Sequence, residues 1–212
     1  MLPAANAGAF ALAAFALIVI PGPSVLFVIG RSLSLGRKGG FLSVLGNALG
    51  MIPAIAAVSL GVGAVVAESV LVFTVIKFAG AAYLIYLGVQ AIRHRHDHRQ
   101  EVPAAAAPPS SFRLLREGFF VGISNPKTIV FFVAVLPQFV SYGAGAIPLQ
   151  LALLGLIFFA IALASDSVWA LTAGTARSWF ARNPKRLSHM GAAGGAVMIG
   201  LGGTLALTGN KH

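Results

Sequence analysis

The sequence predicts an all-α integral membrane protein with six transmembrane helices, arranged as two inverted three-helix repeats. Three observations lead to this prediction. Charged residues make up only 9% of the 212 residues, hydrophobic residues make up 58%, and the mean hydropathy is +0.88. The apolar residues fall into six long segments separated by charged or polar connections. Two of these segments, one in each half of the chain, are interrupted by prolines.

The six segments account for nearly the whole chain. A soluble domain carries about 25% charged residues, so this chain lacks the polar surface that a soluble fold needs. Each segment is long enough to cross a hydrocarbon core of about 30 Å as a helix that rises ~1.5 Å per residue. The segments cover residues 4–30, 39–67, 69–92, 112–141, 146–176 and 188–209.

The first segment contains a helix break. No charged residue lies between Leu2 and Gly30, yet Pro21-Gly22-Pro23-Ser24 interrupts the run. Each proline removes a backbone donor and crowds the preceding turn. Inside a bilayer, the carbonyls that lose their partners must find others in protein, water or a ligand. The motif therefore predicts either a structural kink or the wall of a polar site. No basic residue precedes Arg31, so we expect this segment to be retained and not cleaved as a signal peptide.

Basic residues are concentrated in the connections that follow segments one, three and five. These connections hold 12 of the 15 lysines and arginines, and the other short loops hold none. The positive-inside rule then places the three connections in the cytoplasm and both termini outside. The same placement accounts for the net charge of +10 without a nucleic-acid partner.

Residues 93–111 are interpreted as a cytoplasmic linker between two repeats, residues 1–92 and residues 112–212. The linker begins His94-Arg95-His96-Asp97-His98 and continues with a Pro- and Ala-rich stretch. This composition favours a solvated linker. A divalent-metal site on the alternating histidines is the alternative.

The two halves show weak internal similarity. Because each half has three helices, an odd number, the second half must be inverted relative to the first. An offset of 105 residues aligns Pro21 with Pro126, so the breaks coincide. It also aligns Phe15, Phe27 and Gly50 with Phe120, Phe132 and Gly155. Paired interrupted helices in inverted repeats are typical of secondary transporters, which bind their substrates at the breaks.

Two ionisable residues lie deep in the predicted membrane. Asp166 is 11 residues from Arg177 and Lys127 is 11 residues from Arg116, or ~16 Å of helix, which is near the bilayer midplane. Pro21 lies at a similar depth. A charge at that depth costs ~2.5–3.5 kcal/mol on insertion scales. We interpret the two groups as a substrate or proton site, and a structural ion pair that joins segments four and five is the alternative.

Glycines four residues apart predict close helix packing and no chemistry. The pairs are Gly46 with Gly50, Gly118 with Gly122, and Gly191 with Gly195.

Several short motifs follow one another in a characteristic order. They are Pro21-Gly22-Pro23, Gly36-Arg37-Lys38, Gly46-Asn47-Ala48-Leu49-Gly50, Tyr83-Leu84-Ile85-Tyr86-Leu87-Gly88, Asn125-Pro126-Lys127, Pro137-Gln138-Phe139, and Asp166 with Trp169. Together they cover nearly the whole chain and resemble the LysE/RhtB family of amino-acid exporters, of the lysine exporter or homoserine-threonine efflux type. One departure is Ser24, since many members carry Asp or Asn after the first break.

The resemblance implies a secondary transporter that exports amino acids or related small metabolites from the cytoplasm across a bacterial inner membrane, by proton antiport. The implied partners are the substrate, protons and the lipid bilayer, with no cofactor, no metal and no enzyme activity, and a homo-oligomer is left open. An amino acid is a zwitterion that needs a cationic and an anionic contact in one place, and Lys127 and Asp166 offer both. The expected substrate-binding or coupling residues are Pro21, Gly22, Pro23, Ser24, Asn47, Asn125, Pro126, Lys127 and Asp166.

Three other functions are the alternatives. A metal-cation efflux transporter of related fold would need several carboxylates, thioethers or imidazoles at midplane depth, where only Asp166 qualifies. An intramembrane enzyme is disfavoured because the chain has neither a Gly-x-Ser-x-Gly run nor a His-Glu-x-x-His run. A purely structural protein would leave the midplane charges without a purpose.

Overall fold

A computed structural model describes residues 2–19, 22–62, 70–93, 109–175 and 185–207. These residues are helical with short connections, and no strand occurs among them. The histidine-containing part of the predicted linker, residues 94–108, lies outside the described residues, as do Ile20 and Pro21 of the first break. The helices are α1 (Ala4–Val19), the stretch Pro23–Ala57, α4 (Val70–Arg93), α5 (Ser111–Ile123), α6 (Pro126–Val130), α7 (Ile147–Thr175) and α8 (Lys185–Leu207).

The stretch Pro23–Ala57 is a helical hairpin that turns at Gly36. Gly36 has φ 76° and ψ −176°, which no α-helix contains. A Cβ on Gly40 would lie 3.2 Å from the Cα of Ser32, whereas residues eight apart in a continuous helix are about 12 Å apart. The chain therefore reverses, and we call its two arms α2 (residues 23–35) and α3 (residues 37–57). A π-helical turn, Val58–Val62, follows α3.

Both predicted helix breaks occur, and a proline starts the helix that follows each. The described part of α1 ends at Val19 and α2 begins at Pro23. In the second half α5 ends at Ile123 and α6 begins at Pro126, with a bend of 43° between the two helical stretches. Proline suits the first position of a helix because its missing N–H would have no partner there. A π-helical turn (Phe131–Val135) and a 3-10 turn (Leu136–Phe139) extend α6.

The predicted glycine packing is found between α3 and α5. A Cβ on Gly46 would lie 2.1 Å from the carbonyl oxygen of Leu115, and one on Gly122 would lie 2.1 Å from the carbonyl oxygen of Asn47. A Cβ on Gly50 would lie 2.3 Å from an opposing backbone oxygen, and one on Gly118 would lie 2.4 Å from one. Only glycine permits this approach, so the four residues bring the backbones of two helices from different halves into direct contact.

The exterior is apolar, as expected for a surface that faces lipid. Leu12, Leu60, Leu71, Phe112 and Leu207 each have more than 70% of their surface exposed. Large apolar side chains are therefore exposed on several different helices. By length and apolarity, Ser24–Gly61 and Ile147–Thr175 are candidate membrane spans, and the bent pair Ser111–Ile123 with Pro126–Phe139 is a third. Since Ser24–Gly61 contains the hairpin, it cannot be one straight span. The six-span topology and the division at residues 93–111 stay predictions.

Candidate functional site

A cavity lies where the two helix breaks meet the middle of α7. It is lined by the end of α1, the start of α2, α3, the start of α6 and one face of α7. The volume of the cavity that water can occupy is about 20 Å³, which is room for about one water. Its lining residues are Ile18, Ser24, Val25, Met51, Asn125, Lys127, Thr128, Phe158, Ala162 and Asp166.

Asp166 is held on the α7 side of the cavity by Asn47 of α3. The residue is 3% exposed, and its Oδ2 accepts a hydrogen bond of 3.0 Å from Asn47 Nδ2. A buried carboxylate needs such donors because burial without them is costly. Asn47 is itself fully buried, and its Oδ1 has no hydrogen-bond partner among the described residues. The amide therefore presents a donor to the carboxylate and keeps an acceptor unused.

Lys127 reaches from α6 to the C-terminal end of α1. Its Nζ donates to the carbonyl oxygen of Leu17 at 2.7 Å, and the residue is 6% exposed. The last carbonyls of a helix carry partial negative charge and lack intrahelical donors. Trp169 Nε1 donates to the carbonyl of Val19 at 3.3 Å. Side chains from the second half thus satisfy the carbonyls that the first break leaves open.

Gly22 gives Lys127 its space. A Cβ at this position would lie 3.2 Å from both Cδ and Nζ of Lys127. The glycine is buried at the N-cap of α2. Any larger residue would press on the lysine side chain.

Ser24 and Asn125 join the two breaks directly. Asn125 Nδ2 donates to Ser24 Oγ at 2.9 Å, and Asn125 Oδ1 accepts from the backbone N–H of Lys127 at 3.1 Å. Asn125 therefore caps α6 while it binds the first turn of α2. Both side chains are buried, so each bond lies in a region of low dielectric where it is strong.

The two opposite charges share the cavity without a direct salt bridge between them. Both Lys127 and Asp166 line it, and they attract one another across it. In the part of the chain that the structure describes, the salt bridges are Arg31–Glu117 and Arg113–Glu117, on α2 and α5. Lys127 and Asp166 therefore form no direct ion pair, and their role, as a structural pair or as a site, stays a prediction.

The structure brings most of the predicted site residues together. Ser24, Asn125, Lys127 and Asp166 line the cavity. Asn47 lies behind Asp166, Gly22 lies against Lys127, and Pro23 and Pro126 start the two helices. Pro21 lies outside the described residues. That these residues bind substrate stays a prediction.

Sequence reasoning missed the apolar side of the cavity. Phe158, Ala162 and Asp166 are spaced by four residues, so they form one face of α7. That spacing was a usable signal. Ile18 and Met51 could not have been found in this way, because they come from helices whose register against α7 depends on packing.

Metal-binding side chains do not cluster in the described ranges. No three His, Cys, Asp or Glu residues come close enough there to hold an ion. The metal-cation alternative therefore gains no support from residues 2–19, 22–62, 70–93, 109–175 and 185–207.

Comparison with known proteins gives a consistent family. The model of the LysE type translocator family matches residues 15–209. A membrane protein of Vibrio cholerae that is described as uncharacterized is 34% identical, over 93% of this chain and 95% of the relative. The homoserine/homoserine lactone efflux protein of Salmonella typhimurium is 30% identical, over 93% and 94%. The leucine efflux protein of an Enterobacter species is 29% identical, over 66% and 65%. No solved structure matches significantly.

Proposed function

Because this chain belongs to the LysE type translocator family of membrane proteins, we propose that it exports amino acids or related small metabolites from the cytoplasm in exchange for protons. Relatives named as homoserine and leucine efflux proteins support the substrate class. The site of transport is the cavity between the two helix breaks.

The observation that carries this proposal is the pairing of opposite charges in one cavity. A free amino acid presents an ammonium and a carboxylate on adjacent atoms. Lys127 offers the cation and Asp166 the anion. Intramembrane charges are costly and therefore serve a function as a rule. A site for one simple cation or one simple anion would not need both.

Binding exchanges internal partners for those of the substrate. The ammonium of Lys127 is bonded to the Leu17 carbonyl, and an arriving carboxylate attracts it more strongly because that partner carries a full charge. The substrate ammonium then finds Asp166 and the carbonyls at the end of α1. The first helix end thus binds a cation in both states, first that of Lys127 and then that of the substrate.

Asp166 is also the proposed proton carrier, and Asn47 supports both of its forms. Asn47 Nδ2 donates to the ionised carboxylate. When Asp166 takes a proton, the new O–H donates to Asn47 Oδ1 after the amide rotates, and this supplies the partner that the oxygen now lacks. Protonation removes the anionic contact, so the substrate ammonium is released.

Transport requires the cavity to open. Its present volume holds about one water, so an amino acid enters only when the surrounding helices separate. We place the cavity midway across six membrane-spanning segments in two inverted halves, with the basic connections in the cytoplasm and both termini outside. One proline-containing helix break in each half, before α2 and before α6, supports this symmetry.

The test is efflux from proteoliposomes that contain the purified protein and a radiolabelled amino acid such as leucine or homoserine. We expect efflux that a pH gradient drives, and a loss of at least about tenfold in Asp166→Asn and in Lys127→Met. Ser167→Ala is the matched control, because Ser167 bonds to its own helix at the Leu163 carbonyl. Asn47→Ala should keep efflux but change its pH profile.

Two results would contradict the proposal. If Asp166→Asn and Lys127→Met exported amino acids at the wild-type rate, the cavity would not be the transport site. If none of the tested amino acids were transported, the proposed function would be wrong.

A further inference from the structure

We propose that Ile18, Met51, Phe158 and Ala162 form a subsite for the substrate side chain, and that the transported amino acids carry small, uncharged, mainly aliphatic side chains. This inference rests on the proposed export of amino acids and narrows its substrate class. We call these four residues the side-chain subsite.

The cavity has a polar end and an apolar end. Asp166, Ala162 and Phe158 follow one another at intervals of four on α7, so they extend over about 12 Å of helix. On the opposite side, the polar lining residues Asn125, Lys127 and Thr128 come just before Phe131 and Phe132, whose rings contact Phe158. The polar residues of α6 therefore lie toward Asp166, and the aromatic ones lie toward Phe158. A zwitterion fixed at the polar end directs its side chain along α7 toward Phe158.

An aromatic cluster closes the apolar end. The ring of Phe158 lies 4.9 Å from that of Phe132 and 5.3 Å from that of Phe131, between ring centroids. Phe10 packs against Phe131 at 5.7 Å. All four rings are almost completely buried. Packed aromatic rings resist displacement, so the subsite limits the length of the side chain that it accepts.

The charges of the residues that line the cavity limit the substrate side chain in a second way. Lys127 and Asp166 are the ionisable residues of the lining, and their formal charges cancel. The ammonium and carboxylate of the substrate occupy both of them. A basic or acidic side chain would bring a third charge into an apolar subsite that offers no counter-charge, and a buried unpaired charge is strongly disfavoured.

The experiment measures competition against labelled leucine in the same proteoliposomes. The unlabelled competitors are alanine, valine, leucine, phenylalanine, lysine, arginine and glutamate. We expect the aliphatic amino acids to compete and the three charged ones to be weaker by at least about tenfold. A single methylene in an apolar pocket changes selectivity by about tenfold or more.

Two variants test the subsite itself. Phe158→Leu replaces the ring that closes the side-chain subsite with a smaller side chain, so the subsite becomes longer. The preference for phenylalanine over valine should then rise by about tenfold. Ala162→Val narrows it beside Asp166 and should disfavour leucine relative to alanine. Phe159→Leu and Ala160→Val are the controls, because these positions adjoin the subsite in sequence and do not line the cavity. If Phe158→Leu fails to fold, Ala162→Val decides.

The outcomes separate this inference from the proposed function. Lysine, arginine or glutamate that competes as well as leucine would overturn the inference and leave amino-acid export intact. The inference would also be wrong if Phe158→Leu and Ala162→Val showed the same substrate preferences as their controls, Phe159→Leu and Ala160→Val. The absence of all amino-acid transport would overturn both.

Discussion

The contact between α3 and α5 makes Gly46→Ala a sensitive test of the packing argument. The new Cβ would lie 2.1 Å from the carbonyl oxygen of Leu115 and 3.0 Å from the Cα of Gly118. A carbon–oxygen contact needs about 3.3 Å, so the helices would have to separate by roughly 1 Å. Because the opposing atoms belong to the backbone, no side chain can rotate away to relieve the contact.

The expected cost follows from overpacking, which lowers the free energy of unfolding by about 1–3 kcal/mol. Alanine itself favours a helix over glycine by about 0.5–1 kcal/mol. Gly200→Ala isolates that second effect, since a Cβ at Gly200 of α8 meets no atom within 4 Å. The two variants should therefore differ by about 1–3 kcal/mol, with Gly46→Ala the less stable.

The measurement is unfolding in mixed detergent micelles with increasing SDS, followed by far-UV circular dichroism. Gly46→Ala should unfold at a lower SDS fraction than the wild type, and Gly200→Ala at an equal or higher one. If both alanine variants unfolded at the same SDS fraction, the close approach of α3 and α5 would not stabilise the protein, and the reasoning would be wrong.

Two further predictions concern polar contacts between helices. Ser24→Ala leaves the amide of Asn125 without its acceptor, so we expect the free energy of unfolding in SDS to fall by about 1–3 kcal/mol. Ser24→Thr keeps the hydroxyl and should lose less. Equal losses in the two variants would show that the hydroxyl does not stabilise the protein. Arg31→Gln removes the ion pair that joins α2 to α5 through Glu117, whereas Arg113→Gln removes a contact within α5 from a more exposed side chain. Each substitution should lower the free energy of unfolding by less than about 1 kcal/mol, and by less still with added salt. A larger loss in Arg113→Gln than in Arg31→Gln would show that the ion pair between the helices is not the more stabilising of the two.

The sequence was most informative where a residue type has one strong physical meaning. The motifs around Pro23 and Pro126 predicted the two helix breaks, because each proline removes a backbone donor, although Pro53 lies inside α3 without breaking it. Glycines four residues apart likewise predicted a packed helix face, and Gly46 and Gly118 now lie against each other. The rise of a helix predicted a common depth for Asp166 and Lys127, and the two residues line the same cavity.

The sequence was least informative about contacts between distant segments. The bond from Lys127 to the Leu17 carbonyl joins residues 110 apart, and a backbone carbonyl leaves no trace in the residue type at its position. The same holds for Met51, which reaches the cavity only because the glycine contact fixes α3 against α5. Such contacts depend on helix register, which periodicity in one segment cannot determine.

The hairpin at Gly36 connects the cavity to a remote surface. Its first arm, α2, has 13 residues between Pro23 and the turn, a rod of about 20 Å. At the far end, Gly174 of α7 packs against Arg37, with room for no Cβ. If the proposed opening of the cavity moves Ser24 and α2 is rigid, the other end of α2 must move as well. A fluorophore on Lys38 should therefore report the opening of the cavity from a position that no substrate touches.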